Sequence, residues 1–409
     1  MCILYEAGIE NTSTSVLPEV TPLRLMHDSR GTGIMDVEFR PLDKYYKVPK
    51  RFMCFSSSKL LGRGATASVR TMVKRNERNP ILYAVKFRRP QFQRKRESGW
   101  RLRERESFFI AKSLRHPHIV EMFDLCSYGL SAAIVMERCQ CDLTTLIEMH
   151  YLNAQDKLCI FRQLLLGVAF MHDNGVAHMD IKPDNILIDK NSIVKLCDLD
   201  CAEVVDTGNA RLAQCFDVHE ATRQPHERRG TPAYWPPEVF GAQKRLDLLK
   251  FDVWCCAITW VALNMASLPW DEANEGSKEY QDFQHTWFMW LNKDIKKVPN
   301  DLDYPRIRRP VASSLLSSGA ARCILRMLHP NPDVRCTIKD TLTDSFIQRI
   351  ECCSTLTKWV ATPKDKRGVQ HPPKEIVHNH HPPKKPIHER VLPKCLQYSF
   401  DLGHYSLVD

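Results

Sequence analysis

Apolar and polar residues begin to alternate at Lys59, with the period of a half-buried strand. The pattern predicts a strand through Leu61, a glycine turn, a second strand around Ser68 to Val73, a hairpin loop over Asn76 to Pro80 and a third strand over Ile81 to Phe87. A helix follows that reaches Leu114. It stops at His116-Pro117, because proline donates no amide hydrogen and clashes with the preceding turn. Two more strands are expected near Ile119 to Leu125 and Ala132 to Glu137. From Leu143 the pattern turns helical: Phe161, Leu164, Leu165, Val168 and Met171 share one face of a helix over Leu158 to His172. Later helical segments are expected from Val253, at Trp287 to Leu291 and over Gly319 to Leu328. The implied class is α+β: a small β-rich lobe with one main helix, then a larger, mainly helical lobe.

The ends differ from the middle. Residues 1–51 mix Ser, Thr, Pro and charge without a sustained period and are expected to form a flexible leader. Beyond Cys353, residues 354–409 become rich in Pro, Lys and His and are expected to form an extended tail, not a domain. No internal repeat is visible.

Composition adds limits. A length of 409 residues fits two packed lobes plus tails, and 43% apolar content supplies a sizeable core. The 16 cysteines form no repeated Cys-x-x-Cys frame and follow no secretory signal, so reduced thiols and a cytoplasmic setting are expected. The doublets Cys255-Cys256 and Cys352-Cys353 read as core packing. The longest apolar run, Val253 to Leu268, is broken by Thr259, Asn264 and Ser267 and reads as a buried core helix, too short to cross a bilayer. The net charge of +10 allows attraction to acidic surfaces. Eight Lys or Arg between Arg88 and Arg105 read first as a solvated helix face and second as a docking patch for acidic lipid or protein. His371, His378, His380, His381 and His388 have no cysteine partners at fixed spacing, so the tail is not expected to bind metal.

Several short motifs carry chemistry. In Leu61-Gly62-Arg63-Gly64-Ala65-Thr66-Ala67-Ser68-Val69, two glycines in a strand–turn–strand let backbone approach phosphates closely. Lys86 ends the apolar strand Tyr83-Ala84-Val85 and can neutralise phosphate charge; its bland alternative is a strand-end lysine reaching for water. The segment His178-Met179-Asp180-Ile181-Lys182-Pro183-Asp184-Asn185 is the most specific. There Asp180 can accept a proton from an incoming hydroxyl, Lys182 can steady a transferring phosphoryl group and Asn185 can hold a metal ion. Asp198, at the end of another predicted strand, is placed to bind magnesium. Downstream, Thr231 can hydrogen-bond toward Asp180 and Lys182, and Glu238 can pair with Arg335. Asp252 is expected to open the core helix and cap amides behind the catalytic loop.

With these motifs in this order, the chain from Phe52 to Cys353 resembles a eukaryotic Ser/Thr protein kinase. The stretches "GVAHMDIKPDNILID", "LPWDEANEGSKEYQDF" and "RMLHPNPDVRCTIKDTLTDSFIQRIECC" are similar to the fungal halotolerance and nitrogen-permease-regulating kinase group. The resemblance implies a bilobal fold, with an N-lobe over 52–137 and a C-lobe over 143–353. It also implies ATP in the cleft near Glu137 to Cys139, with Met136 guarding the inner pocket. Leu61, Val69, Ala84, Asp142 and Leu187 would complete the nucleotide site, and Mg2+ would sit on Asn185 and Asp198. Protein substrates with Ser or Thr acceptors are implied, with nutrient or ion transporters as the regulated systems; nucleic acid is not expected.

The chain departs from the family pattern at four places. Ala67 replaces the third glycine, Met179 replaces an arginine, and Asp200 stands where a flexible glycine is usual. The helix glutamate that should pair with Lys86 is displaced: counting back from Pro117 gives Ser107, so Glu106, or else Glu104, is expected to serve. That arginine normally holds a phosphate on the activation segment, and Glu227 occupies the usual phosphosite, so activity is expected not to need that modification. A contact of Glu227 with Arg228, Arg229 or Lys195 is the expected substitute. The alternative to an active enzyme is a pseudokinase serving as a nucleotide-binding scaffold. A small-molecule phosphotransferase is disfavoured, because it would not need the Thr231–Glu238 shelf.

Overall fold

The computed structural model describes residues 40–48, 60–63, 67–76, 78–88, 97–129, 131–205, 222–223, 230–241, 246–357, 359–360 and 374–380. The first half forms an antiparallel sheet of β1 (Leu60–Arg63), β2 (Ala67–Lys74), β3 (Leu82–Arg88), β4 (Met122–Tyr128) and β5 (Ser131–Glu137), in the order β4–β5–β3–β2–β1. Helix α1 (Glu97–Ser113) lies between β3 and β4 in sequence. The strands expected at Ile81 and Ile119 begin one and three residues later.

Side-chain alternation divides this sheet between two cores. Ala84, Ile134 and Met136 join Phe108, Ile110 and Leu114 in the main core. Val85, Ala133 and Val135, one position out of step, point to the other face. There they meet Leu42 and Tyr46, both buried. Residues 40–48 were expected in the flexible leader. Instead Arg40 pairs with Cys126 of β4, and Tyr46 pairs with Lys74 of β2. The physical reason is that β3 and β5 are apolar on both faces, so the second face needs cover.

The second lobe contains α2 (Leu143–Glu148), α3 (Ala154–Asp173), the strand pair β6 (Ile186–Ile188) and β7 (Val194–Leu196), α4 (Leu248–Met265), α5 (Lys278–Leu291) and α6 (Ser318–Met327). Helix α3 begins with a reciprocal cap between Asn153 and Asp156. Helix α4 is capped by Asp247, not opened by Asp252, which sits one turn inside it. By length and composition α4 is apolar enough to cross a membrane, yet most of it is buried inside the lobe. Trp254 and Trp260 on α4 are fully buried. Glu238 and Arg335 form a fork-to-fork pair at 2.7 and 2.9 Å with both side chains buried, joining the segment after Thr231 to the far end of the lobe.

One part of the expected tail is not extended. Residues 374–380 return to the second lobe, where Ile376 and His380 are buried beside Cys159 and Cys353. The physical cause is the apolar and hydrogen-bonding match of this stretch to the start of α3.

Candidate active site

The catalytic loop is held from behind. Met179 takes a left-handed backbone with φ 66°, a conformation that costs a side-chain-bearing residue roughly 1–2 kcal/mol. The fully buried carboxylate of Asp252 accepts the amides of His178 and Met179 at 2.7 and 2.9 Å, and His172 Nε2 at 3.0 Å. Hydrogen bonds to a charged group contribute roughly 1.5–3 kcal/mol each, so this cap outweighs the strain. The ring of His178 also reaches the Cys197 carbonyl at 3.0 Å, tying the loop to the strand that delivers Asp198.

On the open side, three groups converge on Asp180. Its carboxylate meets Lys182 Nζ at 2.9 Å, the Asn185 side-chain amide at 2.9 Å and the Thr231 hydroxyl at 2.9 Å. Lys182 also donates to Thr231 at 2.6 Å. Asn185 spends its NH2 on Asp180, which leaves its amide oxygen for a cation. Burial lowers the pKa of Lys182, but Asp180 in contact, with Asp184 and Asp198 beyond, outweighs it and holds the ammonium charged. Gly230 makes this packing possible: its φ is +93°, and a Cβ there would stand 2.5 Å from the Met179 carbonyl.

Lys86 and Asp198 form the second half of the site, 2.8 Å apart. Burial pushes the Asp198 carboxyl up, but Lys86 beside it dominates and brings it down to about 2. Asp198 is also left-handed, with φ 61°, which Asp tolerates better than most residues. The other carboxylate on Lys86 belongs to Asp200, at 2.7 Å. Glu106, expected in that role, is exposed on α1, and the side chain of Glu104 lies outside the described residues. Ser107 is buried at the position where the resemblance expects the glutamate. Its hydroxyl makes a long 3.4 Å hydrogen bond to Asp200, and Arg88 approaches the same carboxylate at 3.4 Å. Serine is too short to stand in for a glutamate, and the carboxylate at position 200 meets Lys86 instead.

The expected nucleotide residues fall on neighbouring strands. Val69 lies opposite Lys86, and Ala84 opposite Met136, with Ala84 and Met136 both buried. Leu187 on β6 is opposite Asp142, whose side chain caps α2 at the Thr145 amide, 2.7 Å away. Cys139 is buried, and burial pushes its thiol up to about 12, so it stays protonated. Glu137 holds Lys195 at 2.9 Å, which makes Glu137 the described partner of one lysine proposed for Glu227. Leu61 is exposed, and a Cβ on Gly62 would meet no protein atom within 4 Å. Gly64 and Glu227 lie outside the described residues.

Residues 55–347 match the family model described as the protein kinase domain. The chain belongs to the protein kinase family. It is 30% identical over 303 residues to the serine/threonine-protein kinase hal4 of Schizosaccharomyces pombe, covering 72% of this chain and 43% of that protein. It is 28% identical over 319 residues to the serine/threonine-protein kinase PTK2 of Candida glabrata, covering 72% and 40%. It is 28% identical over 345 residues to PTK2/STK2 of Saccharomyces cerevisiae, covering 77% and 41%. The chain thus spans less than half the length of these relatives. Within the kinase domain, sequence reasoning missed the role of Asp200. The signal was present as two departures, Ser107 and Asp200, that only the fold shows to be neighbours.

Proposed function

We propose that this chain phosphorylates Ser and Thr hydroxyls of proteins, using ATP with Mg2+. The observation that carries the reading is the convergence of Lys182, Asn185 and Thr231 on the Asp180 carboxylate, beside the Lys86–Asp198 pair. The donor set fits a metal-bound triphosphate: an ammonium for phosphate oxygens, and a carboxylate with an amide oxygen for a hard cation. ATP supplies the phosphoryl group and Mg2+ neutralises its charge. Asp180 orients the acceptor hydroxyl and takes its proton. Lys182 balances charge building on the transferring group, and Thr231 keeps the Asp180 carboxylate turned toward both. Lys86 anchors phosphate oxygens and Asp198 the cation.

The departures that motivated a scaffold reading are accommodated. Met179 packs against the core while its amide is held by Asp252, and Asp200 supplies a carboxylate to Lys86. Regulators of nutrient or ion transporters are the proposed substrates, supported by the likeness to the PTK2 and hal4 kinases. An acidic membrane surface as partner is supported by the net charge of +10 and the basic run 88–105, whose side chains lie largely outside the described residues. A cytoplasmic place of action is supported by the free thiols of the described core.

The test is labelling of protein substrates by the purified chain with γ-labelled ATP and Mg2+, followed by phosphoamino-acid identification. Label on Ser or Thr that disappears in Lys86→Met supports the proposal. Nucleotide binding without transfer by the wild-type chain overturns it in favour of the scaffold.

A further inference from the structure

Near the start of α3 and the β6–β7 turn, the chain gathers four soft or borderline donors that the active site does not use. Cys159 comes from the second turn of α3, Cys353 follows the last helical turn of the lobe, and His378 and His380 come from the returning segment 374–380. One ligand atom from each lies within 4.8 Å of all the others. We propose that Cys159, Cys353, His378 and His380 form a structural zinc site that fastens the C-terminal segment to the second lobe.

The distances support a tetrahedron. With zinc–sulfur bonds of about 2.3 Å and zinc–nitrogen bonds of about 2.0–2.1 Å, tetrahedral edges are about 3.8 Å for S–S and about 3.6 Å for S–N. Here the two sulfurs are 3.4 Å apart, and Cys353 Sγ is 3.5 Å from His380 Nε2. All separations lie within 4.8 Å, so none needs to contract by more than about 1.5 Å to reach a tetrahedral edge.

The surroundings fit ligands of a closed site. His380 Nδ1 lies 3.1 Å from the Asp156 carboxylate, which fixes the tautomer and leaves Nε2 with its lone pair toward the cluster. Gln163 points its amide NH2 at both sulfurs, at 3.4 Å each, and the Cys353 amide donates to Cys159 Sγ at 3.3 Å. Donors aimed at sulfur favour thiolates. The Nδ1 of His378 is sealed from solvent and has no hydrogen-bond partner. A buried unsatisfied nitrogen costs roughly 1–3 kcal/mol, a reason to expect a ligand beside this ring.

Charge and position decide the role. Two thiolates and two neutral imidazoles cancel the charge of Zn2+, so the ion sits in a buried place without a net charge; binding releases the two thiol protons. All four positions are filled by protein, which leaves none for water or substrate, the arrangement of a structural rather than catalytic zinc. The site touches the β6–β7 turn, where the His380 amide donates to Ser192 at 3.0 Å. Next to Cys353, Ser354 donates to His118 at 2.6 Å, and His118 holds the Val194 carbonyl at 2.8 Å. Strand β7 leads directly to Asp198. The proposed metal therefore braces the strand that delivers the cation-binding carboxylate.

The test uses the full chain, expressed without a histidine tag in zinc-supplied medium and purified without chelator. Elemental analysis is expected to find one zinc per chain. Replacement by Co2+ is expected to give the intense visible bands of a tetrahedral ion with thiolate charge transfer. His378→Ala, a half-buried change, and Cys353→Ser are each expected to lose most of the metal, while His371→Ala with His388→Ala keeps it. The cobalt spectrum of the wild type needs no variant to fold. A folded wild type without stoichiometric zinc or the tetrahedral cobalt spectrum overturns the proposal. So does zinc retained in both ligand variants, or a Cys159–Cys353 disulfide in non-reducing peptide maps. None of these readouts depends on phosphoryl transfer.

Discussion

Asp200→Gly restores the residue that the resemblance expects two positions after Asp198, so family likeness alone would forecast a gain in activity. The geometry forecasts a loss. Lys86 is largely buried, and Asp200 supplies one of its two carboxylates, 2.7 Å away. Two unit charges about 4 Å apart interact by about 4 kcal/mol at an effective dielectric near 20. Asp198 remains, and water entering the gap recovers part of the loss, so a net cost of about 1–3 kcal/mol is expected. In kcat/KM for ATP this is roughly a 5- to 150-fold decrease. Adding Ser107→Glu to Asp200→Gly puts the carboxylate back on α1, where a longer side chain can reach Lys86, and is expected to recover most of the loss. Ser107→Glu alone should be harmful, because it sets a second carboxylate against Asp200. Steady-state kinetics of the four proteins form a complete double-mutant cycle. An Asp200→Gly chain as active as wild type, or more so, would refute the reasoning and make Asp200 a brake on the loop that carries Asp198.

Other consequences follow from the same contacts. Arg335→Ala leaves Glu238 buried and unpaired, so a loss of about 3–5 kcal/mol in denaturant unfolding is expected; a loss under about 1 kcal/mol would contradict a buried pair. Gly230→Ala drives a methyl into the Met179 carbonyl at a positive φ, and activity should fall at least tenfold, with nucleotide affinity held within about twofold. Burial holds His118 neutral, its pKa lowered to about 3, whereas an unfolded histidine protonates near about 6.5. Between those values the unfolded chain binds more protons, so stability falls as pH drops. About 2 kcal/mol should disappear between pH 7 and 5, and His118→Gln should flatten that slope. Because Met179 replaces the phosphate-binding arginine, phosphatase treatment of the purified chain should leave its activity unchanged. Activity lost to phosphatase and restored by modification within 198–238 would contradict this.

The catalytic half of the site was legible because its parts are close in sequence. Asp180, Lys182 and Asn185 lie within one loop, and that short spacing carries the geometry almost unaided. What was not legible depends on long separations. The apolar run of β3 and β5 announces strands covered on both faces, but Leu42 and Tyr46 come from a segment with no period of its own. The exchange of a helix glutamate for Asp200 involves two residues 93 positions apart, each of which reads singly as a defect. Cys159 and Cys353 are 194 positions apart, so no Cys-x-x-Cys frame could reveal them. His378 and His380 looked partnerless only because Cys159 and Cys353 lie far away in sequence.

The most direct measurement of the central claim is turnover and nucleotide affinity of Asp180→Asn beside wild type, on one protein substrate with Mg2+. The amide keeps the shape and the Thr231 contact but cannot take a proton. Turnover is expected to fall by roughly a hundred- to ten-thousand-fold, with nucleotide affinity nearly unchanged. Equal turnover in the two proteins, or no transfer by wild type despite tight nucleotide binding, would contradict a catalytic role for this cluster.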